Sequence, residues 1–237
     1  MNIFVTGTNA GIGKTLIGAG LATIMQSLGY CSAVYKPIQT GAIEKQTFLQ
    51  APDLALVKQI DQFLTTYCTY LLKSPAAPVV GAEYANTSID LMKIQTDYRR
   101  IASKADALIV EGTGGLLTPI SPTMYNSDIA KCLELPLLII TGADSGSLNN
   151  CLLTLNYAKE HNIDVSGVIV NKYPENTLDI SIRTTPRLIE EYSDAKVVGI
   201  IKYFEKSFNA GVLIDTILNN VDIEEIFKIK IPKLNSF

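Results

Sequence analysis

Residues 7–15 read GTNAGIGKT, a glycine-rich stretch close to the start of the chain. Phosphate-binding loops follow the pattern G-x-x-x-x-G-K-[ST], with four residues between the glycines. Here five residues separate Gly7 from Gly13, so the stretch is either a variant phosphate loop or a turn that resembles one. Apolar, β-favouring residues precede it over 3–5, and apolar residues at helical spacing follow it over 16–28. A strand, the loop and a helix are therefore predicted in that order, which is the context in which the motif binds nucleotide triphosphates.

The residue types of this loop match the chemistry of phosphate binding. Glycines allow successive backbone N–H groups to turn toward phosphate oxygens, and the start of a helix adds partial positive charge. We expect Lys14 to be exposed and to reach the outer phosphates, and the Thr15 hydroxyl to ligate Mg²⁺. A structural turn would explain the two glycines but not the adjacent Gly-Lys-Thr, so we interpret the loop as a nucleotide triphosphate site.

Length and composition favour one globular domain, predicted to span residues 1–237. Hydrophobic residues make up 47% and charged residues 18%, which permits a large core and argues against extensive disorder. The net charge of −3 gives no electrostatic reason to expect nucleic acid or anionic membrane as a partner. The four cysteines are widely spaced, no signal-like segment opens the chain, and no apolar run reaches about 18 residues. We expect a cytoplasmic protein in a reducing compartment.

Predicted strands and helices alternate along the chain. The strands are apolar and rich in β-branched residues, so an α/β fold is predicted, with a mostly parallel sheet and helices on both faces. Ser88 is a suitable N-cap for a helix that continues to about Ala105. Ligands of such folds bind beyond the carboxyl ends of the strands, where the candidate residues lie. Further helices are predicted from Asp53 and over 127–133, 148–162, 178–192 and 211–218.

Charged residues stand at the ends of two predicted strands and at the start of one helix. Lys36 leaves the strand of CSAVYK and is either an ordinary solvated charge or, together with Lys14, a cation for phosphoryl transfer. Asp53 follows Pro52 and is a candidate N-cap, a candidate Mg²⁺ ligand, or both. Glu111 ends a strand too apolar to hold an unpaired charge, which favours a metal-directed carboxylate.

Two further segments offer candidate ligand contacts. Glycines 112, 114 and 115 follow Glu111, so that a ligand or another backbone can approach closely, although a simple glycine-rich turn has the same composition. Asn171 ends the strand of VSGVIVN, and its amide offers a donor and an acceptor. That amide suits a nucleobase edge, and a turn-forming asparagine is nearly as well supported.

Together these motifs resemble those of the dethiobiotin synthases. GTNAGIGKT, YKPIQTG, Asp53, VEGTGG with Pro119, and VIVN occur in the order and spacing of that family, over residues 2 to about 200. The resemblance implies an ATP- and Mg²⁺-dependent ligase of biotin biosynthesis that acts on 7,8-diaminononanoate and CO₂ or bicarbonate. An amine takes up CO₂ as a carbamate, the carbamate attacks the γ-phosphate of ATP, and the second amine closes a ureido ring. It also implies that the longer loop spacing is compatible with function.

The resemblance further implies roles for individual residues and a homodimeric assembly. Lys14 and Lys36 would hold the negatively charged phosphate and carbamate groups, and Thr40 would contact the substrate. The metal set would be Thr15, Asp53 and Glu111. The substrate carboxylate would be held by residues of the partner subunit that correspond to Gly146, Ser147, Leu148 and Asn149. The nucleotide contacts would be Gly11, Ile12, Gly13, Lys14, Thr15, Leu16, Asp53, Glu111, Gly112, Thr113, Gly114 and, toward the base, Asn171.

The chain departs from the family pattern at three places and leaves two rival interpretations. Asn9-Ala10 replaces a frequent Asp-Thr, Asn150 replaces a usual His, and residues 199–202 read GIIK instead of Gly-Glu-Ile-Pro, which questions adenine selectivity. One rival is a cobyrinate-type amide synthase, but the chain is too short for the glutamine-hydrolysing domain. The other is a partitioning-type ATPase, whose loop carries a signature lysine where this chain has Asn9.

Overall fold

The computed structural model describes residues 1–203 and 209–231. The strands are β1 (Asn2–Gly7), β2 (Ser32–Gln39), β3 (Ile43–Glu44), β4 (Leu49–Gln50), β5 (Thr65–Leu71), β6 (Ala107–Glu111), β7 (Leu137–Thr141), β8 (Val165–Tyr173) and β9 (Val197–Lys202). The helices are α1 (Lys14–Ser27), α2 (Pro52–Ile60), α3 (Pro78–Tyr84), α4 (Leu91–Ala102), α5 (Asn126–Cys132), α6 (Ser145–Glu160), α7 (Ile180–Glu191), α8 (Ala210–Asn220) and α9 (Ile223–Phe227).

Seven of these strands form one parallel sheet in the order β5-β2-β6-β1-β7-β8-β9. The predicted α/β class with a parallel sheet is therefore confirmed. β1 lies at the centre, and the chain places β6 on one side of it and β7 on the other, so β1 marks the point where the strand order reverses. A crevice for ligands forms beyond the carboxyl end of the strands at such a point.

The register of the central strands brings the candidate charges together. Val5 pairs with Glu111, and Tyr35 pairs with Val110, so Lys36 lies beside Glu111 at the same edge of the sheet. The inner strands β6 and β7 are buried along their whole length because helices cover both faces. Their nearly continuous apolar sequence is the consequence of that double burial.

Two apolar cores flank the sheet. One contains side chains of α1, α2, α8 and α9, and the other contains side chains of α3, α4, α5, α6 and α7. Gly20 of α1 faces Ile217 of α8, and a Cβ at residue 20 would lie 2.2 Å from Ile217 Cδ1, so glycine permits the close approach of these helices. Among the described residues, no helix has the length and apolarity needed to cross a bilayer.

Several predicted boundaries were wrong. The helix predicted from Ser88 begins at Leu91 and ends at Ala102, and its N-cap is Asp90, whose carboxylate accepts a hydrogen bond from the Met92 N–H at 2.8 Å. The other predicted helix ends differ by a few residues. Sequence reasoning also missed β5, α3, α9 and the small hairpin β3–β4. β5 is an edge strand of mixed polarity, TTYCTYL, so it lacks the apolar run by which the inner strands were identified.

Candidate active site

The loop between β1 and α1 exposes an uncapped helix start toward the cleft. Gly13 is the N-cap of α1 with φ 101°, Gly11 has φ 67°, and neither a side-chain cap nor an acidic residue occupies the first turn. The first backbone N–H groups of a helix have no intrahelical partner. An anion such as a phosphate group satisfies them, so this loop fits the triphosphate.

Two side chains from the end of β8 hold the loop from behind. Asn171 Nδ2 donates to the Ile12 carbonyl at 2.7 Å, and Lys172 Nζ donates to the Gly11 carbonyl at 2.8 Å. Gly13 packs directly on Asn171, because a Cβ at residue 13 would lie 2.3 Å from its Nδ2. The Asn171 Oδ1 is buried and has no hydrogen-bond partner among the described residues. Its proposed contact with the base stays a prediction, whereas its role in loop support is visible.

The centre of the site is an ion cluster. Lys36 Nζ lies 2.6 Å from Asp53 Oδ2 and 2.7 Å from Glu111 Oε1. The same Glu111 oxygen accepts a hydrogen bond from the Thr15 hydroxyl at 2.9 Å. Lys36 is 3% exposed and Glu111 is 2% exposed. Burial alone would lower the pKa of Lys36, but Glu111 and Asp53 outweigh it and the pKa is raised. Lys36 is therefore not the solvated strand-end charge that the sequence left as an alternative.

Asp53 is not the N-cap of α2, which was one of the roles that its position in the sequence suggested. The N-cap of α2 is Ala51, which has no capping side chain, and Pro52 occupies the first helical position. Asp53 lies in the first turn, where a carboxylate interacts favourably with the helix dipole. The N-cap interpretation was wrong, and the carboxylate pairs with Lys36 instead.

Lys14 is buried, contrary to the expectation that it would be exposed. It is 7% exposed, and its Nζ donates only a long hydrogen bond of 3.4 Å to the Asn9 carbonyl. Desolvation lowers the pKa of Lys14, although the negative charge of Glu111 opposes this effect. A buried ammonium that lacks a close anion gains most when an anionic ligand enters, which suits a phosphate contact.

The glycine-rich segment after β6 packs against the phosphate loop. A Cβ at Gly115 would lie 3.1 Å from the Gly7 carbonyl, so the two backbones approach closely here. Asn126 secures this segment: its Nδ2 donates to the Gly115 carbonyl at 3.2 Å, and its Oδ1 accepts from the Thr113 N–H at 3.4 Å. Close backbone approach therefore explains at least one of the glycines.

These elements surround one large cleft of about 1180 Å³, enough for a nucleotide and a second substrate. The predicted residues that line it are Gly11, Gly13, Lys14, Thr15, Leu16, Lys36, Thr40, Asp53, Glu111, Thr113 and Gly114. Ile12, Gly112 and Asn171 are buried and do not line it. Of α6, the cleft is lined by Asn150, Leu153, Thr154 and Tyr157, whereas the predicted residues 146–149 lie outside the cleft of their own chain.

The start of α6 is capped by the Asp144 side chain. Asp144 Oδ1 accepts from the Ser147 N–H at 2.8 Å and Oδ2 accepts from the Ser147 hydroxyl at 2.9 Å. These bonds lower the pKa of Asp144. Asn150 Nδ2 also donates to Asn9 Oδ1 at 3.4 Å, which links this helix to the phosphate loop.

The donor set suits Mg²⁺. Two carboxylates and one hydroxyl, from Asp53, Glu111 and Thr15, meet at the loop, and Mg²⁺ prefers such oxygens together with water and substrate phosphates. No group of three or more His, Cys, Asp or Glu residues is found among residues 1–203 and 209–231, so a cage made of protein ligands alone is not seen there.

Sequence reasoning missed several residues of the site. Gln39 and Pro75–Pro78 line the cleft, and Gln39 Nε2 donates to the Thr40 carbonyl at 2.8 Å. Lys172 was also missed. Gln39 lies within the quoted motif YKPIQTG and could have been found there, whereas Lys172 and residues 75–78 carry no motif and reach the site only through the fold.

Comparison with known proteins identifies the family. Residues 1–210 match a family model described as an AAA domain. A curated protein of Bacillus thuringiensis (strain Al Hakam), named ATP-dependent dethiobiotin synthetase BioD, is 30% identical, and the match covers 94% of this chain and 92% of that protein. The protein of the same name from Bacillus cereus (strain G9842) is 29% identical over the same shares.

Solved structures support the fold independently. A ParA family ATPase from Chlorobium tepidum TLS superposes with a TM-score of 0.54, at 18% identity, covering 96% of this chain and 93% of that one. At this identity the likeness shows a P-loop ATPase fold alone. With the sequence relatives and the site geometry, the chain belongs to the ATP-dependent dethiobiotin synthetase family.

Proposed function

We propose that this protein closes the ureido ring of dethiobiotin from 7,8-diaminononanoate, CO₂ and ATP, with release of ADP and phosphate. One observation carries the proposal: two buried lysines, Lys14 and Lys36, lie with two carboxylates at the carboxyl ends of parallel strands beside the phosphate loop. A site for ATP alone needs one such lysine in its loop. A second lysine on a neighbouring strand suits a second anion that reacts with the nucleotide.

The proposed reaction has three steps, in which Lys14 and Lys36 have different roles. One amine of the substrate adds to CO₂ and loses a proton, which gives a carbamate anion. A carbamate oxygen then attacks the γ-phosphorus, the bond to the β-phosphate oxygen breaks, and ADP leaves. The second amine attacks the carbonyl carbon of the mixed anhydride, phosphate leaves, and the ring closes. Lys14 stabilises the negative charge of the phosphoryl group during its transfer, and Lys36 orients the carbamate toward the γ-phosphorus.

The remaining residues bind and orient the substrates. Asp53, Glu111 and Thr15 would hold Mg²⁺, which neutralises charge on the phosphates when bound. Thr40 lines the same cleft as Lys36 and would contact the diamine. The substrate carboxylate is assigned to residues 146–149 at the start of α6, where the Asp144 carboxylate already accepts the Ser147 N–H. Because residues 146–149 lie outside the cleft of their own chain, we propose that they serve the cleft of a second copy in a homodimer.

Phosphate release tests this function directly. The assay contains ATP, Mg²⁺, bicarbonate and 7,8-diaminononanoate, and each component is omitted in turn. We expect phosphate release only when all are present, and a product that mass spectrometry identifies as dethiobiotin. ATP hydrolysis that is independent of the diamine, or that DNA stimulates, would favour a partitioning-type ATPase, the class that includes the ParA family relative in fold.

A further inference from the structure

The ammonium group of Lys36 contacts carboxylate oxygens of two candidate metal ligands, Asp53 and Glu111. Its Nζ lies 2.6 Å from Asp53 Oδ2 and 2.7 Å from Glu111 Oε1, and a further long contact of 3.4 Å reaches the Gly112 carbonyl. Asp53 and Glu111 form no other ion pair among the described residues. Lys36 is thus the counter-cation of both carboxylates.

A lysine ammonium and Mg²⁺ cannot both occupy this position. Mg²⁺ binds carboxylate oxygens at about 2.0–2.1 Å and requires nearly octahedral geometry. Oxygens already bonded to an ammonium are partly neutralised and face it, and a second cation placed among them would be repelled by the first. Metal binding to Asp53 Oδ2 or Glu111 Oε1 therefore competes directly with the bonds of these atoms to Lys36, and metal at the other oxygen of either carboxylate is repelled by the nearby ammonium.

We propose that Lys36 is an internal competitor of Mg²⁺, so that metal loading displaces its ammonium from Asp53 and Glu111 and frees it for the substrate side of the cleft. This inference rests on the metal site of the proposed function. The linkage is reciprocal: Lys36 weakens the affinity for free metal, and metal weakens the bonds of Lys36 to the carboxylates. As a consequence, metal arrives with the nucleotide, whose phosphate oxygens add ligands, and Lys36 meets the carbamate only afterwards.

Lys14 provides a matched control for the loss of charge. It is a buried lysine of the same cleft, and among the described residues it forms no ion pair and contacts the Asn9 carbonyl at 3.4 Å. Lys14→Met and Lys36→Met each remove one positive charge and keep an unbranched side chain. Only Lys36→Met removes a cation that is bonded directly to the carboxylates.

The test measures binding of Mn²⁺, which suits carboxylate sites, by electron paramagnetic resonance without nucleotide. We expect Lys36→Met to bind Mn²⁺ on the order of tenfold more tightly than the wild type, a typical size for coupled sites. Lys14→Met is expected to change the affinity by only a few-fold, through net charge. Equal gains in both variants, or none in Lys36→Met, would overturn the competition.

A second readout covers the possibility that Lys36→Met folds poorly because two carboxylates lose their partner. Thermal unfolding of Lys36→Gln, which keeps a hydrogen-bond donor, is followed with EDTA and with Mn²⁺. The metal should raise its Tm clearly more than that of the wild type, and an equal rise would contradict the inference. If the wild type fails to bind Mn²⁺ even together with ATP, the proposed metal site itself is wrong. If Mn²⁺-ATP binds normally and the variants gain nothing, only the competition fails.

Discussion

Gly13→Ala tests the support of the phosphate loop by β8. The substitution has two costs, and each is visible in the structure. Residue 13 has φ 101°, where a residue with a Cβ is strained by about 1–3 kcal/mol. The new methyl group would also lie 2.3 Å from Asn171 Nδ2, so the amide must move and give up its buried bond to the Ile12 carbonyl. Leaving those groups unpaired costs about 1–3 kcal/mol more.

Gly11→Ala supplies the comparison. Residue 11 has φ 67°, and a Cβ there would meet no atom within 4 Å. Its cost is therefore backbone strain alone, about 1–2 kcal/mol. We expect the free energy of unfolding to fall by about 2–6 kcal/mol in Gly13→Ala, of which the lost contact, about 1–3 kcal/mol, is the part that Gly11→Ala does not share.

Urea-induced unfolding followed by circular dichroism, without nucleotide, measures both variants. A double-mutant cycle isolates the contact: in an Asn171→Ala background, Gly13→Ala should cost only its backbone strain, because the amide is no longer in the way. The reasoning would be refuted if Gly13→Ala and Gly11→Ala were equally destabilising, or if the two substitutions at 13 and 171 were strictly additive.

Two other predictions concern the cysteines and the cap of α6. Burial raises the pKa of Cys68 to about 11, of Cys151 to about 12, and also that of Cys132, so at pH 8 an aromatic disulfide reagent should label the exposed Cys31 well before the other three cysteines until urea is added. Asp144→Ala should lower the free energy of unfolding at neutral pH by ~1 kcal/mol, because it removes the cap of α6. Since hydrogen bonds lower the pKa of Asp144, this difference should shrink as the pH falls below 3.8, which urea titrations at pH 7 and pH 3 would detect.

Local sequence patterns predicted a large part of the fold. The strands β1, β6, β7 and β8 each contain a buried run that is mainly apolar, because both of their faces are covered there, so composition identifies them. β5 and α3 escaped detection because an edge strand of mixed polarity and a short helix bury too little apolar surface to leave a clear pattern. The cap at Ser88 was misplaced because Asp90, two residues later, competes for the same role.

By itself, the sequence determined the class of fold, the phosphate loop and the candidate charges, because each depends on residue types within a short segment. The tertiary structure alone decided how those charges are paired. Lys36 and Glu111 are far apart in the chain, and only the pairing of β2 with β6 places them side by side in a buried position. The burial of Lys14 and the contact of Asn171 with the loop were likewise decided by packing. Solvent exposure and long-range contacts depend on what the rest of the chain brings to a residue, and no local pattern encodes them.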